Sequence, residues 1–296
     1  MKRAVTSFIV LPLLLLGLGT VQGAPILDEA LAYWGFEGNI NGTNSNNLTA
    51  VAGTTQALTP ALTPSFTSIS GLPSLNAGTQ AVSFDGTNVL KTNDPDLRLG
   101  GAQTFWLRIN LGSVPSAASV AFMTRSRANN GQRGISLQMT NGRLQGYLSA
   151  DGTVYDAQLT NANSFVLQAA TWYDISLRYD PSNVLRIDLY DSVTGSLLDS
   201  METTTNIPAS ISTGNGIGSG YYQLGSLNNG SSGSAFIVPN GTLIESAAVW
   251  NSYLSDVQIQ SLSAVPEPKA VSMMVFGGAT LVMVLRMMRS PAVTQG

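Results

Sequence analysis

Apolar and polar residues alternate strictly along "TWYDISLRYD". Tyr173, Ile175, Leu177 and Tyr179 fall on one side, and Asp174, Ser176 and Arg178 on the other. That two-residue period predicts a strand with one face on a core. "NVLRIDLYDS" repeats it, setting Leu185, Ile187 and Leu189 opposite Arg186 and Asp188. Between the two runs, "DPSN" (Asp180 to Asn183) places proline at the second position of a turn. In "GISLQMTNGRLQGYLS" the Asn141-Gly142 pair divides two alternating runs, a strong hairpin signal. "TFWLRINL" puts Phe105, Leu107, Ile109 and Leu111 on one face. Many strands of this kind, each with one polar face, predict an all-β protein: two antiparallel sheets packed face to face.

One segment has helical character. "LSDVQIQSLS" opens at Ser255, carries Gln258 three residues on as in a capping box, and is expected to turn Val257, Ile259 and Leu262 toward a core. Residues 41–79 hold no sustained period and many turn formers, which predicts a long surface insertion after the first strand. "NNGSSGS", residues 228–234, has the composition of a flexible loop.

Composition narrows the chemistry. The 296-residue chain is long enough to bury a substantial core, and only 10% of it is charged. Cysteine and histidine are both absent. Disulfides, Cys/His zinc sites, thiol nucleophiles and Ser-His-Asp triads are therefore excluded.

Both ends read as targeting segments. "MKR", the apolar "AVTSFIVLPLLLLGLG" and the small-residue exit "TVQGA" predict a signal peptide over residues 1–23, cleaved near Gly23 or Ala24. At the other end an uncharged stretch, Ala270 to Leu285, lies between Lys269 and Arg286. As a helix it would reach about 24 Å, and its flanking basic stems can snorkel to complete a transmembrane span. Arg286 and Arg289 would hold the distal side in the cytoplasm, with the body outside. Pro266 and Pro268 keep the approach to this span extended and open to a protease. From Asp28 to Glu267 the chain carries nine basic against 17 acidic residues, a net charge of -8. Nucleic acid and anionic membrane surfaces are poor partners for such a body.

The order Pro266-Glu267-Pro268, apolar span, then Arg286 and Arg289 resembles the PEP-CTERM sorting signal, here over residues 264–290, with a seven-residue tail beyond Arg289. That resemblance implies recognition by an exosortase, a membrane-embedded cysteine protease of Gram-negative bacteria that make exopolysaccharide. The implied route is an inner-membrane intermediate, then the cell surface or extracellular matrix.

The body, residues 26–263, resembles the LamG-like, concanavalin A-like jelly-roll family. The residues that carry the likeness are Trp34, Phe36 and Glu37 of "LAYWGFEGN", the Phe84-Asp85-Gly86 turn, "TFWLRINLG", and the closing Gly241, Leu243, Glu245, Leu254 and Ser255. Ile244 stands where the family usually places an aspartate. Trp34 and Trp250, in the terminal strand motifs, are expected in the core.

Members of that superfamily bind glycans or proteins, hold calcium, or hydrolyse β-glucans, so the fold alone does not choose. The glucanases resemble one another in a strand that aims paired carboxylates into one cleft. Here Asp188 and Asp191 fall on opposite strand faces, and Glu29, Glu37, Glu202 and Glu245 are isolated, so the expectation is a protein that is not an enzyme. For calcium, Asp85, Asn93, Asp94 and Asp96 could supply oxygens if the Phe-Asp-Gly turn lies near "TNDPD". Ordinary turn chemistry accounts for the same residues and is the preferred reading, with no cofactor. For glycan, the candidates are Trp106 with Arg108 and Asn110, and Trp172 with Arg178, on the polar faces of their strands, with Tyr155, Tyr221 and Tyr222 near loops. Large aromatics in a sandwich also serve as packing. The expected function is an exported envelope or matrix protein whose jelly roll binds exopolysaccharide, another glycan or a surface glycoprotein. The alternatives are a structural matrix component without a specific ligand and, less favoured, a glycoside hydrolase.

Overall fold

Asn141 and Gly142 close a two-residue hairpin between Thr140 and Arg143. Both take positive φ, 53° and 73°, the type I′ geometry whose twist matches the flanking strands. Around it the computed structural model describes residues 27–52, 61–70, 72, 79–116, 118–125, 133–160, 165–213, 222–228 and 234–263. The signal peptide, the Pro266-Glu267-Pro268 motif with Arg286 and Arg289, the 270–285 span, Tyr221 and most of the 228–234 loop lie outside the described residues. Among the described residues no helix is long and apolar enough to cross a membrane.

The strands form two antiparallel sheets, as their alternation predicts. The eight-stranded sheet runs β13 (Leu197–Thr203), β12 (Val184–Asp191), β11 (Trp172–Asp180), β6 (Gln103–Asn110), β17 (Thr242–Trp250), β4 (Gln80–Phe84), β3 (Ser65–Ser68). Its eighth strand, β1 (Ala32–Trp34), pairs with the far half of β17. The seven-stranded sheet runs β10 (Ala157–Leu159), β9 (Arg143–Leu148), β8 (Ile135–Thr140), β7 (Ser119–Arg125), β14 (Tyr222–Leu224), β5 (Asn88–Thr92), β2 (Thr49–Ala52). A short pair, β15 (Leu227–Asn228) and β16 (Ser234–Ala235), one α-helix, α1 (Asp256–Ser263), and two 3-10 turns, Thr43–Ser45 and Pro95–Leu97, complete the described elements.

The core lies between the sheets. Phe105, Leu107, Ile109, Tyr173, Ile175, Leu177 and Tyr179 meet Leu90, Leu137, Met139, Leu144, Leu148 and Leu224 in one continuous buried cluster. Each such side chain stabilises the fold by about 1.5–3 kcal/mol relative to exposure. Trp34 is buried in this core as expected, while Trp250 is buried in a separate cluster on the outer face of the eight-stranded sheet. The Trp34 indole nitrogen donates to the Asn46 carbonyl at 2.6 Å.

Three expectations are corrected. Residues 41–79 do not form only a surface insertion: β2 and β3, both within it, are edge strands, one on each sheet. Four residues paired on one side leave too short a pattern to read, and β3 buries none of its residues fully. Val257 is 69% exposed and does not face the core. It lies two residues, roughly 200°, from Ile259 around the helix, so burying Ile259 and Leu262 turns it outward. Finally, the outer face of the eight-stranded sheet is covered over β6, β12 and β17: Trp106, Tyr190, Ala248 and Trp250 pack with Leu254, Ile259 and Leu262 in a second buried cluster.

The capping box forms as its residues predict. The Ser255 backbone N–H donates to Gln258 Oε1 at 2.8 Å, and the Gln258 N–H donates to Ser255 Oγ at 3.3 Å.

Gly225 gives the packing a direct test. It holds φ +81°, and a Cβ there would sit 2.5 Å from Cε1 of the buried Phe84 ring. Gly225→Ala is expected to lower unfolding free energy by about 2–4 kcal/mol through backbone strain and overpacking. Gly101→Ala, which meets nothing within 4 Å, is expected to cost far less in the same urea titration.

Candidate functional site

The outer face of the eight-stranded sheet does not present the arginines of β6 and β11 to solvent. Arg108 donates from Nε and Nη2 to the two carboxylate oxygens of Asp174 at 2.6 and 2.8 Å, and Nη2 also reaches the Leu262 carbonyl at 3.4 Å. Ser192 donates a further hydrogen bond to Asp174 at 2.7 Å. Arg178 donates to Asp188 at 2.5 Å, to the Leu254 carbonyl at 2.7 Å and to Asp256 at 2.7 Å. Its guanidinium lies 4.9 Å from the centre of the Tyr253 ring. Arg186 joins the cluster through Asp188 at 2.9 Å. One arginine thus grips each end of the 254–262 segment, and burying the charges is tolerated because they are paired.

The five residues expected to touch sugar therefore separate. Trp106, Arg108 and Arg178 are buried beneath α1 and offer no surface to a ligand in this arrangement. Polar residues at alternate positions need not face water; here they face a helix. Trp172 and Asn110 are cross-strand partners, both half-buried at the opposite end of this face. Six residues of strand, roughly 20 Å, separate Trp172 from Arg178.

Two of the acids considered for calcium, Asp85 and Asp94, cap turns with their carboxylates. Asp85 Oδ1 accepts from the Thr87 N–H, the Thr87 hydroxyl and the Asn88 N–H, each at 2.8 Å. Burial works upward on its carboxyl, but the Asn88 and Thr87 donors outweigh it and hold its pKa below the usual carboxylate value. Asp94 accepts from the Asp96 N–H at 2.9 Å, and Asn93 Oδ1 accepts from Arg98 at 3.0 Å. Among the described residues no three metal-ligating His, Cys, Asp or Glu side chains come together. An Asp85 oxygen already accepting three hydrogen bonds is poorly suited to a cation.

The outer face of the seven-stranded sheet is different in kind. Register aligns Thr49, Lys91, Gln223, Thr124, Ser136, Tyr147 and Gln158 across β2, β5, β14, β7, β8, β9 and β10. Neighbouring rows add Gln138 opposite Gln145, and Ser119 and Arg143 flanking Thr140. The face is thus lined with amides, hydroxyls and a phenol. They are linked: Thr140 and Tyr147 both donate to Gln145 Oε1, at 2.9 and 2.7 Å, and Ser119 and Thr140 lie 2.7 Å apart.

Toward β7 and β14 this face is closed. Thr124 donates to the Ser226 carbonyl at 3.1 Å, and Lys91, Thr124, Ser136 and Gln223 are buried. Toward β9 and β10 it opens. There Tyr147 and Tyr155, both half-buried, stack with ring centres 4.8 Å apart at 38°. The Arg133 guanidinium lies 5.0 Å from the Tyr155 ring centre and donates to the Thr153 carbonyl at 2.5 Å. Exposed Gln158 lies across from Tyr147. Two adjacent aromatic faces ringed by a guanidinium and amides can receive a ligand that is apolar on one side and hydroxyl-bearing at its rim. Tyr155 was legible as an aromatic near a loop. Tyr147 was not singled out, though it sits at a polar position of the β9 alternation.

No family model matches the chain, and no curated protein sequence is significantly similar to it. Solved structures do resemble it. One is domain 4 of AbnA, a GH43 extracellular arabinanase from Geobacillus stearothermophilus, in complex with arabinotriose. The likeness covers 79% of this chain and 98% of that one at 14% identity, with a TM-score of 0.54. Another is the receptor-binding domain of botulinum neurotoxin mosaic serotype C/D, at 11% identity and a TM-score of 0.50. There the chain spans about half of the neighbour's length, 50%. At these identities the likeness shows the fold: a β-sandwich of jelly-roll type.

Two outcomes test this electrostatic layout. Arg108→Ala strands the buried Asp174 carboxylate and is expected to cost about 3–5 kcal/mol in urea unfolding; the double change Arg108→Met with Asp174→Leu is expected to cost less, with a remainder from Glu245, which loses its buried cation 3.9 Å away. Burial pulls the Lys91 ammonium down to about 8 from an ordinary 10.5. Between those values the unfolded chain holds a proton that the folded chain has released, so stability from this group rises with pH. Tyr33, Tyr179 and Tyr190, each pushed up to about 12 chiefly by burial, act in the opposite direction as pH approaches and passes 10, and the buried Tyr222, also raised, does the same. Melting temperatures at pH 8 and pH 9, below the range where the tyrosines act, are expected to show the rise in the wild type and to lose it in Lys91→Met.

Proposed function

We propose that this protein is an exported, envelope-sorted glycan-binding module. The observation that carries the reading is the open margin of the seven-stranded sheet, where Tyr147 and Tyr155 stack beside Arg133 and Gln158. Pyranose and furanose rings present C–H faces that pack on phenol rings, and hydroxyls that bond to amides and guanidinium. The arabinanase domain, described with arabinotriose, shares the sandwich, which supports the choice of glycans to try without choosing among them. The signal-like start, the Pro266-Glu267-Pro268 motif and the apolar stretch before Arg286 support export, an inner-membrane intermediate, an exosortase-type protease as partner, and release to the surface or matrix of a Gram-negative bacterium.

The reading is of a binder that is not an enzyme. Its support is the use already made of the carboxylates: Glu37 accepts from Thr79 and Gln80, Glu202 pairs with Arg186, and buried Glu245 accepts from Ser246.

Affinity electrophoresis in the producer's exopolysaccharide, with arabinotriose as a soluble competitor in a parallel panel, tests the site. Tyr155→Ala and Tyr147→Ala are each expected to weaken retention roughly tenfold while circular dichroism stays that of a β protein. Unchanged retention in both variants would move the site elsewhere, and no retention of folded wild type on any glycan would favour a structural matrix role. Mass spectrometry of envelope-derived protein is expected to find no peptide beyond about residue 269; an intact C-terminal peptide there would overturn the sorting reading.

A further inference from the structure

At the end of β7 the chain places a guanidinium inside the sandwich. Thr124 points outward, donating to the Ser226 carbonyl, so its neighbour Arg125 turns inward. Its register partner on β8 is the core residue Ile135. Arg125 is 1% exposed, and its Nε, Nη1 and Nη2 all lack a hydrogen-bond partner.

Among the described residues, the two polar groups whose charge acts on it, Tyr222 and Arg98, are committed elsewhere. The buried Tyr222 hydroxyl donates to Gln103 Oε1 at 3.3 Å. Gln103 Nε2 donates to the Leu99 and Gly101 carbonyls at 3.4 and 3.2 Å. Arg98, whose charge adds to that of Arg125, is occupied with Asn93 at 3.0 Å. Burial is the chief influence on the Arg125 guanidinium and lowers its pKa. A guanidinium nonetheless keeps its proton under physiological conditions. A buried cation without an acceptor is among the most costly arrangements a core can hold, so the charge calls for a counterion from solution.

We infer that Arg125 is the receptor for a small monovalent oxyanion of the carboxylate class, held inside this end of the sandwich. The planar edge formed by Nε and Nη2 presents two parallel N–H donors, the spacing that a carboxylate accepts with both oxygens. One negative charge neutralises the one buried cation, whereas a dianion would leave excess charge in a desolvated place. The burial of Arg125 excludes a polymer end and selects a molecule of a few atoms. This site lies in the interior and does not rest on the glycan reading.

The probe is formate. Purified protein, dialysed into a buffer of weakly coordinating anion, is melted with increasing sodium formate, sodium chloride or sodium sulfate at matched ionic strength. Formate is expected to raise Tm saturably by roughly 3–6 °C, as ligand binding to the folded state alone requires. Chloride and sulfate are expected to fall well short of it. Arg125→Met, which keeps the length and loses the charge, is expected to abolish the formate response. Arg125→Lys, which keeps the charge and loses the two-pronged donor edge, is expected to shift the half-saturating formate at least tenfold upward and stands in if the methionine variant does not fold. Equal stabilisation by all three salts, no response in the wild type, or an undiminished formate response in a folded variant would overturn the assignment.

Discussion

The eight-stranded sheet depends on pairing buried charge. Arg108 with Asp174 and Arg178 with Asp188 stand on strands whose other face builds the main core, so neither pair can be moved without disturbing β6, β11 and β12. Exposed, such pairs would contribute little. Roofed by α1, they become strict. Each guanidinium keeps a hand free for the roof itself, at the Leu254 carbonyl and Asp256 on one side and at the Leu262 carbonyl on the other. Desolvation makes the pairing obligatory, and the pairing fixes the position of the helix, although Arg178 Nε and Trp106 Nε1 beneath it find no hydrogen-bond partner.

That arrangement decides which surface remains for binding. A sandwich has two outer faces, and here the middle of one carries a helix of eight residues. The other carries amides, hydroxyls and tyrosine, closed over β7 and β14 and open over β9 and β10. On the proposed reading, binding falls to a sheet margin, where half-buried Tyr147 donates to Gln145 of its own strand and packs against Tyr155. Arg125 follows a different logic: it is as buried as Arg108 and Arg178, but none of its guanidinium nitrogens finds a hydrogen-bond partner, whereas theirs hold carboxylates.

Strand content was readable because the period of two is written locally. β6, β8, β9, β11 and β12 each carry enough alternation to be recognised, and the Asn141-Gly142 turn is set by residues that tolerate positive φ. The capping box at Ser255 and Gln258 was likewise local, and it formed. The edge strands β2 and β3 were not readable, since four residues paired on one side carry little pattern.

The amino-acid sequence by itself determined the all-β character, the core faces of the long strands, the position of the helix and the exclusion of thiol and imidazole chemistry, because each rests on residue type or on spacing within a few residues. Tertiary structure alone decided that Trp106, Arg108 and Arg178 lie under a roof, that Val257 faces out, and that Tyr147 meets Tyr155. Alternation says which residues share a face of a strand. Whether water, a helix or another ring covers that face depends on segments up to 154 residues away, as from Arg108 to Leu262, and no local pattern records it.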